Sequence, residues 1–304
     1  MRLILQIIFL AFPNLLVLAQ KPYILVLGTA QDGGFPQAAC NKECCRSVWE
    51  NKIPHQGVSS LALVDPITKQ KWIFDATPDF PEQFHLLNKQ TKNSAPLDGI
   101  FLTHAHIGHY TGLMHLGREV MGSNKMKVYA MPKMKSFLEN NGPWSQLVNI
   151  QNIEIRKMEE SEIIILNDRL KVMAFRVPHR DEFSETVGYR IMTKDKSFIF
   201  IPDIDKWQKW DRNLVDVVKE NDVLLLDGTF YKDGEIARPM SEVPHPFITE
   251  TVELLSDLSK NEKNKVKFIH LNHTNPILQP RSKERAELKM KGFTWVETGQ
   301  KIDL

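Results

Sequence analysis

Metal-binding side chains stand at the ends of apolar runs in this chain, and few folds can use that arrangement. His104, His106 and His109 follow the run Ile100–Leu102 as H-x-H-x-x-H. His179 follows Phe175-Arg176-Val177-Pro178, Asp203 follows a run ending at Pro202, and His270 follows Val266–Ile269. A spacing of two in an extended loop lets two imidazoles converge, and the third returns one turn later toward a neighbouring ion. Four separate strands thus each deliver an imidazole or a carboxylate at one end, a donor set suited to zinc, manganese or iron(II). A lone histidine is ordinarily a packed or surface residue; only the joint pattern points to a metal.

The apolar runs predict strands at Tyr23–Leu27, Val58–Val64, Trp72–Asp75, Ile100–Leu102, Val128–Met131, Ile163–Leu166, Lys171–Val177, Val187–Ile191, Ser197–Ile201, Val223–Leu226, Val266–Leu271 and Thr294–Glu297. Helical periodicity covers Trp207–Glu220, Phe247–Ser259 and Ser282–Lys291. Short strands with helices interspersed, and no repeat or linker, predict one α/β domain of layered sheets over 21–304. The Trp207/Trp210 pair reads as packing. The chain's 304 residues, 42% hydrophobic and 25% charged, suffice for a large core. Lys and Arg total 39 against 37 Asp and Glu, leaving +2. That balance argues against a phosphate-neutralising nucleic-acid binder; a small-molecule substrate is the partner expected with the metal site.

Residues 1–20 read as a secretory signal peptide: Arg2 is the only charge, an apolar run extends from Leu3 to Leu18, and small Ala19 precedes a cut near Gln20. Gln6, Pro13 and Asn14 interrupt the run, which argues against a permanent anchor. A periplasmic or secreted mature chain is expected, with no stable membrane insertion. All three cysteines, Cys40, Cys44 and Cys45, fall in the segment CNKECC. They suit a zinc site awaiting a fourth ligand, or one short disulfide with a leftover thiol.

The strand-end pattern resembles the metallo-β-lactamase superfamily, which implies an αββα four-layer sandwich with metals at the edge between its sheets. The stretches LGTAQDGGFPQAACNKECC, DGTFYKDGEI and FIHLNHTNPILQPRSKERAELKMKGF resemble its pyrroloquinoline quinone biosynthesis protein B branch. The Cys-rich segment is also similar to the cyclic phosphodiesterases of phosphonate metabolism. The resemblance implies a first metal site of His104, His106 and His179, a bridging Asp203, and a second site using His109 and His270. The superfamily usually has Asp just before the third histidine of the motif. Here that residue is Gly108, so the second site is expected to lose a ligand and Gly108→Asp to raise metal stoichiometry. The biosynthesis branch commonly loses the first two histidines, which this chain keeps.

Cys40 and Cys45 match that branch's Cys motif, whereas its middle cysteine is Lys42 here and Cys44 is displaced. The phosphodiesterases complete a structural zinc with a histidine three residues past the last site histidine. His273 has that spacing from His270, implying a Cys40, Cys44, Cys45, His273 zinc site. His245 in SEVPHPFIT falls where the branch has a histidine before a helix and could contact substrate or supply a proton. Asp75 in FDATPD fits a strand-end aspartate that orients the histidine loop, and Asp32 in the first loop could face the site.

The leading expectation is a secreted metal-dependent hydrolase of an ester or phosphodiester, with Asp203 and His245 catalytic. Zinc is the expected structural and catalytic cofactor, manganese or iron being compatible with the catalytic ligands. One alternative is a pyrroloquinoline quinone-related protein with iron-dependent oxidative chemistry. Another is a periplasmic binding protein that kept the fold without catalysis, for which Gly108 is the best support.

Overall fold

A computed structural model describes residues 20–237, 239 and 242–304, so nearly all of the expected leader lies outside the described residues. Strands run β1 (Tyr23–Gly28), β2 (Ser60–Asp65), β3 (Gln70–Phe74), β4 (Gly99–Phe101), β5 (Met126–Ala130), β6 (Ile153–Lys157) and β7 (Ile163–Asn167). They continue as β8 (Leu170–Arg176), β9 (Val187–Met192), β10 (Ser197–Ile201), β11 (Val223–Asp227), β12 (Val266–Ile269), β13 (Thr294–Trp295) and β14 (Lys301–Asp303). Two seven-stranded sheets result, ordered β14-β1-β2-β3-β4-β5-β6 and β13-β12-β11-β10-β9-β8-β7.

Each central strand is apolar on both faces because both faces are covered. In β1, Ile24 and Val26 face the other sheet, while Leu25 and Leu27 face the outer helices. In β10, Phe198 and Phe200 join the intersheet core, while Ile199 and Ile201 pack under helices. Phe74 stacks on Phe101 at 4.9 Å and meets Phe200 edge-on, tying the sheets together. The helices Phe80–Thr91 and Pro132–Asn140 cover one sheet, and Leu214–Glu220, Ile248–Leu254 and Lys283–Met290 cover the other. The order helix, sheet, sheet, helix is the expected αββα sandwich.

Several elements differ from the sequence reading. The helix expected over Trp207–Glu220 breaks into a short turn at Trp207–Lys209 and a helix at Leu214–Glu220. Asn213 restarts it, its side chain accepting from Val215 N at 2.8 Å, while Trp207 and Trp210 turn into the core. β6 and β14 went unread: β6 alternates with polar residues, and β14 is a three-residue edge strand. β12 ends at Ile269 because His270 takes a left-handed φ of 63°.

The pairings fix which way each strand points. β3, β4 and β5 are parallel, as are β10, β11 and β12. β1 and β8 each reach a member of those sets through two antiparallel steps, so they point the same way. The C-terminal ends of β1, β3, β4, β8, β10, β11 and β12 therefore open on one edge of the sandwich, the usual place for a ligand site in α/β sheets.

Candidate metal centre

Those seven ends carry Asp32, Asp75, the His104–His109 loop, His179, Asp203, Asp227 and His270. Tyr189 of β9 donates its hydroxyl to Leu102 O, and Val187 N bonds Thr103 O at 3.1 Å, so the second sheet holds the histidine loop of the first. Asp203 lies at the middle. Its Oδ2 is 2.9 Å from His109 Nε2, 3.2 Å from His270 Nε2 and 3.5 Å from His104 Nε2; its Oδ1 is 3.4 Å from His245 Nδ1 and 3.9 Å from His179 Nε2.

Two matching relays set the ring orientations. Asp75 accepts from Thr103 N at 2.8 Å and from Thr103 Oγ1 at 2.9 Å, leaving that hydroxyl oxygen to accept from His104 Nδ1 at 3.0 Å. On the other sheet, Thr229 Oγ1 donates to Asp227 at 2.7 Å and accepts from His270 Nδ1 at 2.9 Å. Each aspartate also holds a second ring: Asp75 takes His109 Nδ1 at 2.7 Å, and Asp227 takes His245 Nδ1 at 2.8 Å. With Nδ1 as donor, His104, His109 and His270 each turn Nε2 toward Asp203, the outer-shell device that orients metal-ligating imidazoles. Glu182 holds His106 Nε2 at 2.9 Å, turning its Nδ1 toward His104 Nε2, also at 2.9 Å.

This geometry suits cations. His109 Nε2, His270 Nε2, Asp203 Oδ2 and Asp32 Oδ1 are buried atoms without a hydrogen-bond partner among the described residues, and they face one another. His104 Nε2 and His106 Nδ1 face one another at 2.9 Å and share one hydrogen, so a cation bound there would take that proton's place. The donors fall into two main sets, His104, His106 and His179 in one and Asp32, His109, Asp203 and His270 in the other, each set lying within 4.8 Å. Asp203, Asp227 and His245 form a further acidic group of the same compactness.

The charge states differ between the sets: the first holds neutral rings, and the second an imidazolium among carboxylates, whose proton a bound cation would displace. Burial pushes His104 well below the ordinary imidazole range and His179 down to about 4, so both are neutral ligands at pH 7. Burial also works against protonation of His109, but the Asp75, Asp203 and Asp32 carboxylates override it and hold that ring well above its usual value. Burial favours the protonated form of Asp203 as well; the surrounding imidazoles outweigh it and keep the carboxyl ionised.

Residues 71–271 match the Beta-lactamase superfamily domain. The chain belongs to the beta-lactamase superfamily. A coenzyme PQQ synthesis protein B of Methylorubrum extorquens (strain PA1) is 25% identical over 316 residues, spanning 93% of this chain and 100% of the relative. Zn(2+)-bound PqqB from Methylobacterium extorquens superposes with a TM-score of 0.78 at 23% identity, over 93% of this chain and 100% of that one. A diphosphatase from the PhnP family superposes with a TM-score of 0.66 at 20% identity, over 94% and 98% of the two chains. Both solved structures share the superfamily sandwich with this chain.

Of the residues named from the sequence, His104, His106, His109, His179, Asp203 and His270 come together at this edge. Asp75 lies behind the histidine loop and orients it, and His245 sits buried against Asp203 and Asp227. Asp227, Thr103, Thr229 and Glu182 were missed. Asp227 had a readable signal, since LDGT ends β11 as FDAT ends β3. The expectation that Gly108→Asp adds a ligand needs correction. A Cβ built on Gly108 would lie 2.1 Å from Asp32 Oδ1, so the space is already filled by a carboxylate.

Cys40, Cys44, Cys45 and His273 form another group with donors within 4.8 Å. All three cysteines are free, and Cys40 Sγ lies 3.7 Å from Cys44 Sγ, far beyond a disulfide bond. Burial pushes the Cys45 thiol up to about 12, so only an added cation would make it a thiolate at neutral pH. The helix Glu43–Trp49 carries Cys44 and Cys45, and Gln279 Nε2 bonds Cys44 O at 2.9 Å from the C-terminal side.

Proposed function

We propose that this protein is a zinc-dependent hydrolase of an ester or phosphate-ester small molecule. The reading rests on the orphaned donor atoms that converge on Asp203 from two sheets. Zinc bound there would supply an activated water by lowering its pKa from 15.7 to about 7, and would polarise the scissile group. His104, His106 and His179 hold one position, and Asp203 reaches toward both. A cleft beside them is lined by Gln31, Arg180, Glu242, His245 and Asn272; Arg180, 3.4 Å from Glu182, is its group for an anionic substrate. The PhnP-family diphosphatase among similar structures is consistent with phosphate chemistry. His245 lines that cleft 3.4 Å from Asp203, and as general acid it would give a proton to the leaving group.

Zinc-reconstituted protein is expected to hydrolyse bis-p-nitrophenyl phosphate or simple lactones, and a chelator is expected to stop it. Full zinc loading without turnover on any ester would overturn the reading. His245→Ala is expected to lower kcat by about 10²-fold or more while metal content holds, the usual scale for a positioned acid or base. Unchanged kcat would remove His245 from the mechanism.

The near full-length match to coenzyme PQQ synthesis proteins favours one second reading, a part in making that quinone, for which the donor set would also accept iron and oxidative chemistry. Oxygen consumption by the iron-loaded protein would distinguish it. We also propose that the mature chain works outside the cytoplasm after cleavage near Gln20, a reading supported by the apolar run from Leu3 to Leu18 behind Arg2. Among the described residues no helix is long and apolar enough to cross a membrane. N-terminal sequencing of the exported protein tests the cut.

A further inference from the structure

We propose that Asp32, from the loop after β1, supplies the carboxylate of the second cation position, replacing the side chain that Gly108 lacks. The loop is fixed by pairing with the end of β12: Gln31 N bonds Leu271 O at 2.9 Å, and Leu271 N bonds Thr29 O at 2.8 Å. A parallel bridge from Ala30 to Val58 fixes its other side to the first sheet. This stitching sets Asp32 beside His270. Its Oδ1 lies 3.1 Å from His109 Nε2 and 3.8 Å from His270 Nε2, buried and without a hydrogen-bond partner. The opposing His109 and His270 nitrogens are fully buried and orphaned too, so the acid is not a solvated loop charge.

Gly108 sits in the first turn of the helix Ile107–Tyr110, directly before His109. A Cβ there would meet Asp32 at 2.1 Å from Oδ1, 2.8 Å from Cγ and 2.7 Å from Cα. Two carboxylates cannot occupy that volume, so positions 32 and 108 exclude one another. Glycine at 108 is then the condition for Asp32 to enter, and the second position keeps two imidazoles and two carboxylates.

This inference deepens the hydrolase reading and rests on its metal centre, yet the two fail separately because its test needs no substrate. Chelator-stripped full-length protein is titrated with zinc alone by calorimetry, with elemental analysis of the product. Asp32→Ala is expected to weaken one zinc by at least about 100-fold, more than outer-shell changes usually cost. The near-isosteric Asp32→Asn is expected to weaken it at least tenfold with the melting temperature of the metal-free protein kept. Gly108→Asp is expected to add no zinc. Unchanged zinc binding in Asp32→Asn and Asp32→Ala, or one zinc gained by Gly108→Asp, would overturn the assignment. Wild-type protein that binds both zincs without turnover would instead sink the hydrolase reading and leave Asp32 standing.

Discussion

Asp203→Ala is expected to lower kcat/KM by about 10³-fold or more, equivalent to roughly 4 kcal/mol of transition-state stabilisation. Asp203 faces both main donor sets, with five imidazoles within 3.9 Å of its two oxygens. Removing it leaves His109 and His270 with Asp32 but without the shared carboxylate, so both zincs should be weakened. His104→Ala and His179→Ala are expected to remove the first zinc and turnover while leaving the Asp32 side of the centre intact. Elemental analysis with steady-state kinetics reads both quantities. An Asp203→Ala protein with full zinc and wild-type turnover would remove the aspartate from the centre altogether.

The second large effect lies away from the Asp203 centre. His273→Ala is expected to release one zinc from the Cys40, Cys44, Cys45 group and lower the melting temperature by roughly 6–12 °C, for a loss of about 3 kcal/mol. Besides zinc, the cluster is held by Gln279 Nε2 bonding Cys44 O at 2.9 Å and Trp49 Nε1 bonding Cys40 O at 3.0 Å. Ala30, Phe35, Cys45 and Val48 form a small satellite core, too small to fix the Glu43–Trp49 helix strongly by burial alone. His273 binds Asn272 Oδ1 at 2.6 Å and follows the segment bearing His270, so a zinc there would tie the first loop to β12. Asp32 lies in that same loop, and its position should loosen with the zinc. Intact mass under non-reducing, denaturing conditions gives an independent reading: three free thiols agree with zinc, whereas a mass lower by two hydrogens would contradict it. A reductant that destabilised the protein where a chelator did not would contradict it as well.

Local order carried much of the fold. The runs Ser197–Ile201 and Val223–Leu226 were readable because strands covered on both faces are apolar without interruption. The Trp207–Glu220 helix was misread because apolar residues at helical spacing also describe two short elements whose tryptophans turn inward. β14 escaped because three residues carry no period of their own, and its place comes from pairing with β1.

The sequence by itself determined the donor chemistry: which strands end in His or Asp, and that three cysteines crowd one segment. Those features are local, so spacing preserves them. Tertiary structure alone decided how the donors combine. Asp32 and Gly108 are 76 positions apart, and nothing in either neighbourhood says that one fills the space the other leaves. That relation exists only because the first loop bridges the two sheets, where van der Waals exclusion allows one carboxylate and not two. The same holds for Asp75 and Asp227, whose matched relays appear once β3 and β11 end at the same edge. Periodicity reports burial along one strand, whereas a metal centre is made of distances between strands, which only packing sets.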